Sequence, residues 1–241
     1  MGVMAGLKWR RLVLKVGSAL IAPEAKGCST RYLLAIAGFI SECRQQGVEV
    51  VLVSSGSVAA GRAAIPFAHH PLPINVKQAM AAVGQTRMMQ SWRNLLDVDC
   101  AQILLTHDDL QHRNRYLNIH NTLRTLLDHG VLPIVNENDT VATAELKVGD
   151  NDNLAALVAT VVDADALIIC SDVDGLYTAN PRTNSSALLI PEVHQITAEI
   201  YAMAGGSHHA IGTGGMTTKL QAASKATSQG IDTLIINGQK S

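Results

Sequence analysis

The feature of this sequence that most limits its fold is a regular alternation of short apolar runs with amphipathic segments. Strands are predicted for six apolar, β-branched runs, at residues 11–17, 48–54, 101–106, 131–136, 166–172 and 233–238. Helices are predicted for the periodic segments between them, at 31–47, 75–96, 115–130, 153–162 and 217–230. Most of the runs are continuously apolar, as strands covered on both faces are. The pattern predicts an α/β fold, a three-layer αβα sandwich with a mostly parallel open sheet.

The chain is expected to form a single domain over residues 1–241. Gly47, Gly130 and Gly230 follow three of the predicted helices, where glycine C-caps are common. The weakest patterns lie between 173 and 216, where we predict a short strand at 187–193 and a helix at 196–205. We find no internal repeat, low-complexity tract or Pro/Ser-rich linker that would mark a second domain.

Composition excludes several classes of protein. The chain has 241 residues, of which 47% are hydrophobic and 16% charged, and its formal net charge is −1. Basic residues do not form the stripe that nucleic-acid binding requires, so no nucleic-acid partner is expected. No apolar run approaches the ~20 residues of a membrane span, and the N-terminus lacks the pattern of a signal peptide. Four widely spaced cysteines are expected to be reduced, so we predict a cytoplasmic protein without membrane partners.

Small and polar residues collect where the predicted strands end, which is where open α/β sheets bind ligands. The segments are "KVGSA" (15–19), "SSGSVAAG" (54–61), "NENDTVATAE" (136–145) and "SDVDGLY" (171–177). The segment "GTGGMTTK" (212–219) opens the last predicted helix, where glycines and free N–H groups favour a bound phosphate. It is not a Walker A loop, because Thr218 stands where that motif has glycine. Lys15 ends an apolar strand, where a buried ammonium needs an anionic partner.

Together these segments resemble the amino acid kinase family, and within it the members that phosphorylate glutamate. The resemblance is carried by "LVLKVGS", "VLVSSGSVAAGR", "KQAMAAVGQ", "LLTHDDLQHRNRYLN", "PIVNENDTVATAELKVGDNDNLAALVA", "DGLYTANPR" and "GTGGMTTKLQAA". It covers residues 11 to 238 and implies ATP-dependent transfer of a phosphoryl group to the γ-carboxylate of L-glutamate. The product would be γ-glutamyl phosphate, in the first step of proline biosynthesis.

The resemblance also implies roles for individual residues. Lys15 and Lys219 would hold the transferring phosphoryl group, and Asp152 would orient both lysines. Glutamate contacts would come from Ser55, Asp139 and Asn151, mainly in the N-terminal part. Nucleotide contacts would lie mainly in the C-terminal part, at Lys15, Ser171, Asp172, Thr213, Gly214, Gly215, Met216, Thr217, Thr218 and Lys219. Mg²⁺ would arrive with ATP, and no residue is assigned as a metal ligand.

The chemistry of the residues agrees with this reading. Phosphoryl transfer depends on positioning and charge neutralisation, which lysines supply. The γ-carboxylate is already ionised at pH 7, so no general base is required. The ammonium of glutamate calls for an acidic side chain, which Asp139 can provide. In "DNDN" (150–153) Asn151 would bind substrate and Asp152 the lysines, which leaves Asp150 or Asn153 to cap the helix.

Two alternatives remain open at this point. One is another acid kinase of the same fold, acting on acetylglutamate or aspartate; an N-acetylated substrate would leave Asp139 without an ammonium to pair. The other is a regulatory nucleotide-binding module without catalysis, although both lysines and Asp152 are present. The resemblance further implies a homo-oligomer (dimer or tetramer) and feedback inhibition by proline. Many relatives carry a C-terminal PUA domain, which we do not expect in this chain because the sequence stops just after its last predicted strand.

Overall fold

The computed structural model describes residues 8–23, 27–69, 71–141, 151–181, 183–205 and 215–240. The described strands are β1 (Arg11–Val16), β2 (Glu49–Ser54), β3 (Cys100–Leu105), β4 (Leu132–Glu137), β5 (Ala166–Ser171) and β6 (Asp232–Asn237). They form one sheet in the order β3-β4-β2-β1-β5-β6, and every neighbouring pair is parallel. The six predicted strands and the parallel α/β architecture are therefore confirmed.

The described helices are α1 (Ser18–Ile21), α2 (Leu33–Gln45), α3 (Ser57–Gly61), α4 (Ile74–Leu95), α5 (His107–Gln111), α6 (Arg113–Asp128), α7 (Asn151–Val161), α8 (Ala198–Met203) and α9 (Met216–Thr227), with a 3₁₀ turn at Arg62–Ala64. The five long ones, α2, α4, α6, α7 and α9, match the predicted segments to within a few residues. The predicted glycine caps are confirmed by positive φ angles at Gly47, Gly130 and Gly230. None of the described helices combines the length and apolar character needed to cross a bilayer.

One predicted element is wrong, and three helices were not predicted. In place of a strand at 187–193, Leu189 makes a single antiparallel bridge to Tyr177. Leu188 and Leu189 are largely exposed, so their apolar character does not reflect burial in a sheet. Helices α1, α3 and α5 have only four or five residues, too few to show a helical period.

Two apolar clusters cover the two faces of the sheet and define the three layers. Side chains alternate between faces along a strand, so Leu12 and Leu14 of β1 join one cluster with α2 and α4. Val13 joins the other cluster, with α6, α7 and α9. Lys15 shares the face of Val13 and therefore points toward the α7 and α9 layer. All four cysteines are free thiols, as expected.

Helices α3 and α4 touch through their backbones, because glycine occupies both sides of the contact. A Cβ on Gly61 would overlap the carbonyl group of Met80, and a Cβ on Gly84 would overlap the carbonyl oxygen of Ser57. Such close approach is possible only without side chains. The contact fixes α3, which follows the carboxyl end of β2, against α4.

We expect Gly84→Ala to lower the free energy of unfolding by about 3 kcal/mol, the upper end of the range for overpacked positions. The added methyl group would meet backbone rather than a side chain that could rotate away, so the two helices must separate. Gly38→Ala in α2 is the matched control, because a Cβ there meets no atom within 4 Å. In that helix alanine should raise the free energy of unfolding by up to ~1 kcal/mol. Urea denaturation measures both changes, and equal stability of the two variants would contradict the close contact.

Candidate active site

The described site centres on two buried lysines that share one carboxylate. Lys15 is the penultimate residue of β1, Asp152 lies in the first turn of α7, and Lys219 lies in the first turn of α9. Lys15 Nζ lies 2.5 Å from Asp152 Oδ1, and Lys219 Nζ lies 3.1 Å from Asp152 Oδ2. We call these three residues the lysine–aspartate cluster. The structure thus brings together the three residues for which the sequence predicted catalytic roles.

The electrostatics of this cluster favour a bound anion. Lys15, Asp152 and Lys219 are each at least 94% buried, so their charges act in a medium that screens them poorly. Burial alone would raise the pKa of Asp152, but the ammonium groups of Lys15 and Lys219 outweigh it and hold that pKa below its usual range. Among the residues that the structure describes, these two cations face one anion, which gives an excess of positive charge. The N-terminus of α9 adds the positive end of its dipole at the same point.

Thr218 completes the coordination of the Asp152 carboxylate. Its hydroxyl lies 2.8 Å from Asp152 Oδ2 and 2.8 Å from the carbonyl oxygen of Gly215. The side chain of Thr218 is buried and does not line the neighbouring cavity among the described residues. The geometry therefore ties α9 to α7 through Thr218, and the nucleotide contact that the resemblance implies for this residue stays a prediction.

Of the three residues predicted to contact the amino acid, Ser55 and Asp139 follow the carboxyl ends of β2 and β4, and Asn151 begins α7. Asn151, the first residue of α7, donates from Nδ2 to Ser55 Oγ at 2.9 Å. Asp139 Oδ2 accepts a hydrogen bond of 2.5 Å from Ser57 Oγ. No lysine, arginine or histidine of the described chain forms an ion pair with Asp139, although this side chain is buried. Burial raises the pKa of Asp139, and the Ser57 hydrogen bond offsets only part of that rise.

Three further buried residues are hydrogen-bonded to this group, directly or through one another, but were not assigned a role from the sequence. Ser57 holds Asp139, as described above. Asn136 Oδ1 accepts from Asn151 Nδ2 at 2.7 Å, and Asn136 Nδ2 donates to Gln85 Oε1 at 2.8 Å. Asn136 and Ser57 lie in segments that the sequence marked as polar strand ends, and Gln85 ends the segment "KQAMAAVGQ". Their type and position were visible in the sequence, but their partners were not.

Five of the predicted nucleotide residues line a separate cavity of about 600 Å³ beyond the end of β5. Its lining includes Ser171, Asp172, Gly215, Met216 and Lys219. Lys219 therefore faces both this cavity and Asp152. Thr217 is buried and is not part of the lining. Thr213 and Gly214 fall outside the described residues, and so does Asp150.

The described residues do not include a cluster of three or more His, Cys, Asp or Glu side chains placed to hold a metal ion. Asp152 is the carboxylate nearest the excess positive charge, and both of its oxygens are engaged by lysines. A divalent cation at this site would therefore depend on ligands supplied by a bound anion such as a polyphosphate.

Comparison with known proteins identifies relatives over nearly the whole chain. The model of the amino acid kinase family matches residues 10–237. The chain is 61% identical over 237 residues to the glutamate 5-kinase of Idiomarina loihiensis, covering 98% of this chain and 64% of that protein. It is 57% identical over 242 residues to the glutamate 5-kinase of Salinibacter ruber, covering 100% of this chain and 64% of that protein. The chain thus spans slightly less than two thirds of the length of these curated relatives.

A solved structure supports the architecture independently of close sequence similarity. The carbamate kinase from Giardia lamblia, solved bound to AMP-PNP, superposes with a TM-score of 0.61 at 17% sequence identity. The superposition covers 96% of this chain and 94% of that protein. At this identity the likeness concerns the fold alone, a parallel sheet with helices on both faces.

Proposed function

The chain belongs to the amino acid kinase family, and we propose that it transfers the γ-phosphoryl group of ATP to the γ-carboxylate of L-glutamate. The product would be γ-glutamyl phosphate, which would open proline biosynthesis. The observation that carries the proposal is the lysine–aspartate cluster together with a buried acid, Asp139, which follows β4 and has no cationic partner among the described residues. The names of the relatives at 57–61% identity support the same substrate.

The lysine–aspartate cluster suits phosphoryl transfer between two anions. ATP and a carboxylate repel each other, and negative charge spreads over the phosphoryl oxygens in the transition state. Lys15 and Lys219 would flank that group, and Asp152 would hold their ammonium groups in place before the substrates bind. Because the charges are already oriented, little reorganisation would accompany the reaction.

Nucleotide and metal would come from the other side of the cluster. The cavity beyond β5 is large enough for a nucleoside, and Lys219 lies at its boundary with Asp152. The family and the AMP-PNP bound to the carbamate kinase support ATP as the donor. Mg²⁺ would be carried by the phosphate oxygens, where it would neutralise negative charge.

The environment of Asp139 favours an amino acid with a free ammonium group as the phosphoryl acceptor. A buried carboxylate without a counter-charge is costly, and a substrate ammonium would remove that cost. Acetylglutamate has no such group, so it would leave Asp139 unpaired. Aspartate carries the ammonium but is one methylene shorter, which would hold its side-chain carboxylate away from the transferred phosphoryl group.

ADP release in the presence of Mg²⁺ and ATP tests the proposed function. Glutamate, aspartate, N-acetylglutamate and UMP would be compared at equal concentrations, and hydroxylamine would trap the acyl phosphate as a hydroxamate. We expect ADP and hydroxamate to form together with glutamate. ADP release with N-acetylglutamate in preference to glutamate, or no release with any acceptor, would refute the proposal.

Asp139→Asn should raise the KM for glutamate about tenfold or more, because a charge-assisted hydrogen bond contributes about 1.5–3 kcal/mol. The KM for ATP should change little. In the unmodified chain the KM for glutamate should also rise as the pH falls through the raised pKa of Asp139, because the protonated acid cannot pair with ammonium. This rise should be absent from Asp139→Asn.

The same type of substitution in the nucleotide cavity, Asp172→Asn, should instead change the KM for ATP. Initial rates with each substrate varied in turn, over a pH series, measure both effects. An altered KM for ATP with an unchanged KM for glutamate in Asp139→Asn would place Asp139 outside the amino-acid pocket.

A further inference from the structure

Three buried side-chain amides form a chain of hydrogen bonds behind the amino-acid pocket. Asn151 donates to Asn136, and Asn136 donates to Gln85, with N···O distances of 2.7 and 2.8 Å. All three side chains are at least 93% buried. We call these residues the amide relay. It links the first residue of α7 to helix α4 through the end of β4, and neither the transfer reaction nor the nucleotide cavity uses Gln85.

The direction of the relay is fixed by the backbone. The N–H of Glu137 can only donate, and it donates to Asn136 Oδ1 at 2.9 Å. Asn136 therefore turns Nδ2 toward Gln85, and Gln85 accepts that hydrogen bond through Oε1. By the same reasoning Asn151 must turn Nδ2 toward Asn136 Oδ1. The carbonyl oxygen of Ser54, which can only accept, lies 3.5 Å from the same Nδ2 and agrees with this orientation.

Two buried polar atoms are left over at the ends of the relay. Gln85 Nε2 and Asn151 Oδ1 have no hydrogen-bond partner among the described residues. Only the second lies at the predicted amino-acid pocket, where Asn151 also contacts Ser55. A buried carbonyl oxygen without a donor is costly, so this atom is set to accept a hydrogen bond from a ligand.

We propose that Gln85 is a positioning residue that acts through Asn136 to keep Asn151 Oδ1 available as an acceptor for the substrate ammonium. This inference rests on the proposed function and assigns the role of Asn151 to a carbonyl rather than to its amide N–H₂. The Glu137 N–H holds only the oxygen of Asn136, and Gln85 holds its N–H₂ group. Without the Gln85 acceptor, that buried N–H₂ group would lose its partner and the Asn136 amide could rotate away from Asn151. Asn151 would then lose the acceptor that fixes its own N–H₂ group and could turn that group toward the substrate ammonium. The Asn151 N–H₂ group and the substrate ammonium are both donors and would repel each other, so glutamate would bind less tightly.

Helix α4 is suited to this task because its position is fixed by other contacts. Gly84, next to Gln85, touches the backbone of α3 directly. One to two turns later, Trp92 donates from Nε1 to Ser54 Oγ at 3.0 Å, and Ser54 donates to Met88 Sδ at 3.1 Å. The helix is thus anchored on both sides of Gln85. Movement of the Gln85 side chain alone, rather than of α4, would control the relay.

Gln85→Met tests the inference, because methionine is close in volume to glutamine but cannot accept the bond from Asn136. We expect the KM for glutamate to rise about tenfold, the equivalent of one ~1.4 kcal/mol interaction, with changes below about twofold in the KM for ATP. Gln90→Met is the matched control, because Gln90 is exposed on the same helix. It should leave both constants unchanged.

A double-mutant cycle separates a relay from a general loosening of the pocket. Asn136→Ala should itself raise the KM for glutamate, and adding Gln85→Met should produce no further rise, because Gln85 acts through Asn136. Fully additive effects, an equal rise in the KM for ATP, or an unchanged KM for glutamate in Gln85→Met would each overturn the inference.

Neutron crystal structures of Gln85→Met and Gln90→Met, in which an amide nitrogen and an amide oxygen can be told apart, distinguish this inference from the proposed function. We expect the Asn136 and Asn151 amides to be rotated in the first variant and unchanged in the second. Unrotated amides in Gln85→Met would overturn the relay even if glutamate is the substrate. An unmodified chain that does not phosphorylate glutamate would refute the proposed function, and the amide orientations would still decide whether the relay exists.

Discussion

Lys219→Met is expected to lower kcat by at least ~10²-fold, the loss typical when one group that stabilises developing charge is removed. Lys15→Met should have an effect of the same order. Each lysine contacts a different oxygen of Asp152, so neither ammonium can take the place of the other. Methionine keeps most of the buried volume, which limits the change to the charge. Single-turnover measurements with saturating ATP and acceptor would report the chemical step directly.

Lys225→Met provides the matched control for Lys219→Met. Lys225 lies in the last turn of the same helix, α9, and is exposed. Its replacement removes the same charge from the same element, but away from the cluster, and should leave kcat unchanged. Near-normal turnover in both active-site variants would show that the lysines do not stabilise the transferred group.

Asp152→Asn should lower the free energy of unfolding at pH 7 by about 3–5 kcal/mol, because breaking a buried ion pair leaves uncompensated charge. Here two ammonium groups would lose their counter-charge at once. The pKa of Asp152 is held low in the folded chain, so its stabilising contribution is present above the pKa of an unfolded aspartate. That contribution is lost as the pH falls through the lowered pKa. In Asp152→Asn, this pH-dependent contribution to the free energy of unfolding should be absent.

Asp128→Asn is the control for the ion-pair argument. Asp128 pairs with Arg124 at 3.0 Å on the surface of α6, where both side chains are about half exposed. Exposed pairs of this kind contribute roughly 0–1 kcal/mol, so little change in stability is expected. Urea denaturation between acidic and neutral pH compares the two variants. Similar losses for both would show that the buried cluster does not stabilise the fold.

The strands and long helices could be predicted because each depends on a local pattern. The alternation of faces along β1 even places Lys15 on the same side as α7 and α9, once the sheet is known to be parallel. The predicted strand at 187–193 failed because an apolar run is ambiguous when tertiary contacts do not bury it. Leu188 shows this, since it is more than half exposed.

The candidate site was only partly visible in the sequence. Asp152 and Lys219 could be proposed because both belong to distinctive segments near helix starts. The contacts of Ser57 with Asp139 and of Gln85 with Asn136 join residues that are 82 and 51 positions apart. Contacts at that separation depend on how α3 and α4 cross. Periodicity describes single elements, so it carries no information about such a crossing.

The backbone contact between α3 and α4 has a consequence for selectivity. With no side chains between these helices, the wall that carries Ser57 and Gln85 cannot adjust its shape to a different acceptor. The wall of the nucleotide cavity, in contrast, rests on a small apolar cluster built around Leu176, Tyr201 and Leu220. Side chains can change rotamer where two backbones in contact cannot move apart. We therefore expect the chain to discriminate strictly among amino acids while tolerating changes in the base of the phosphoryl donor.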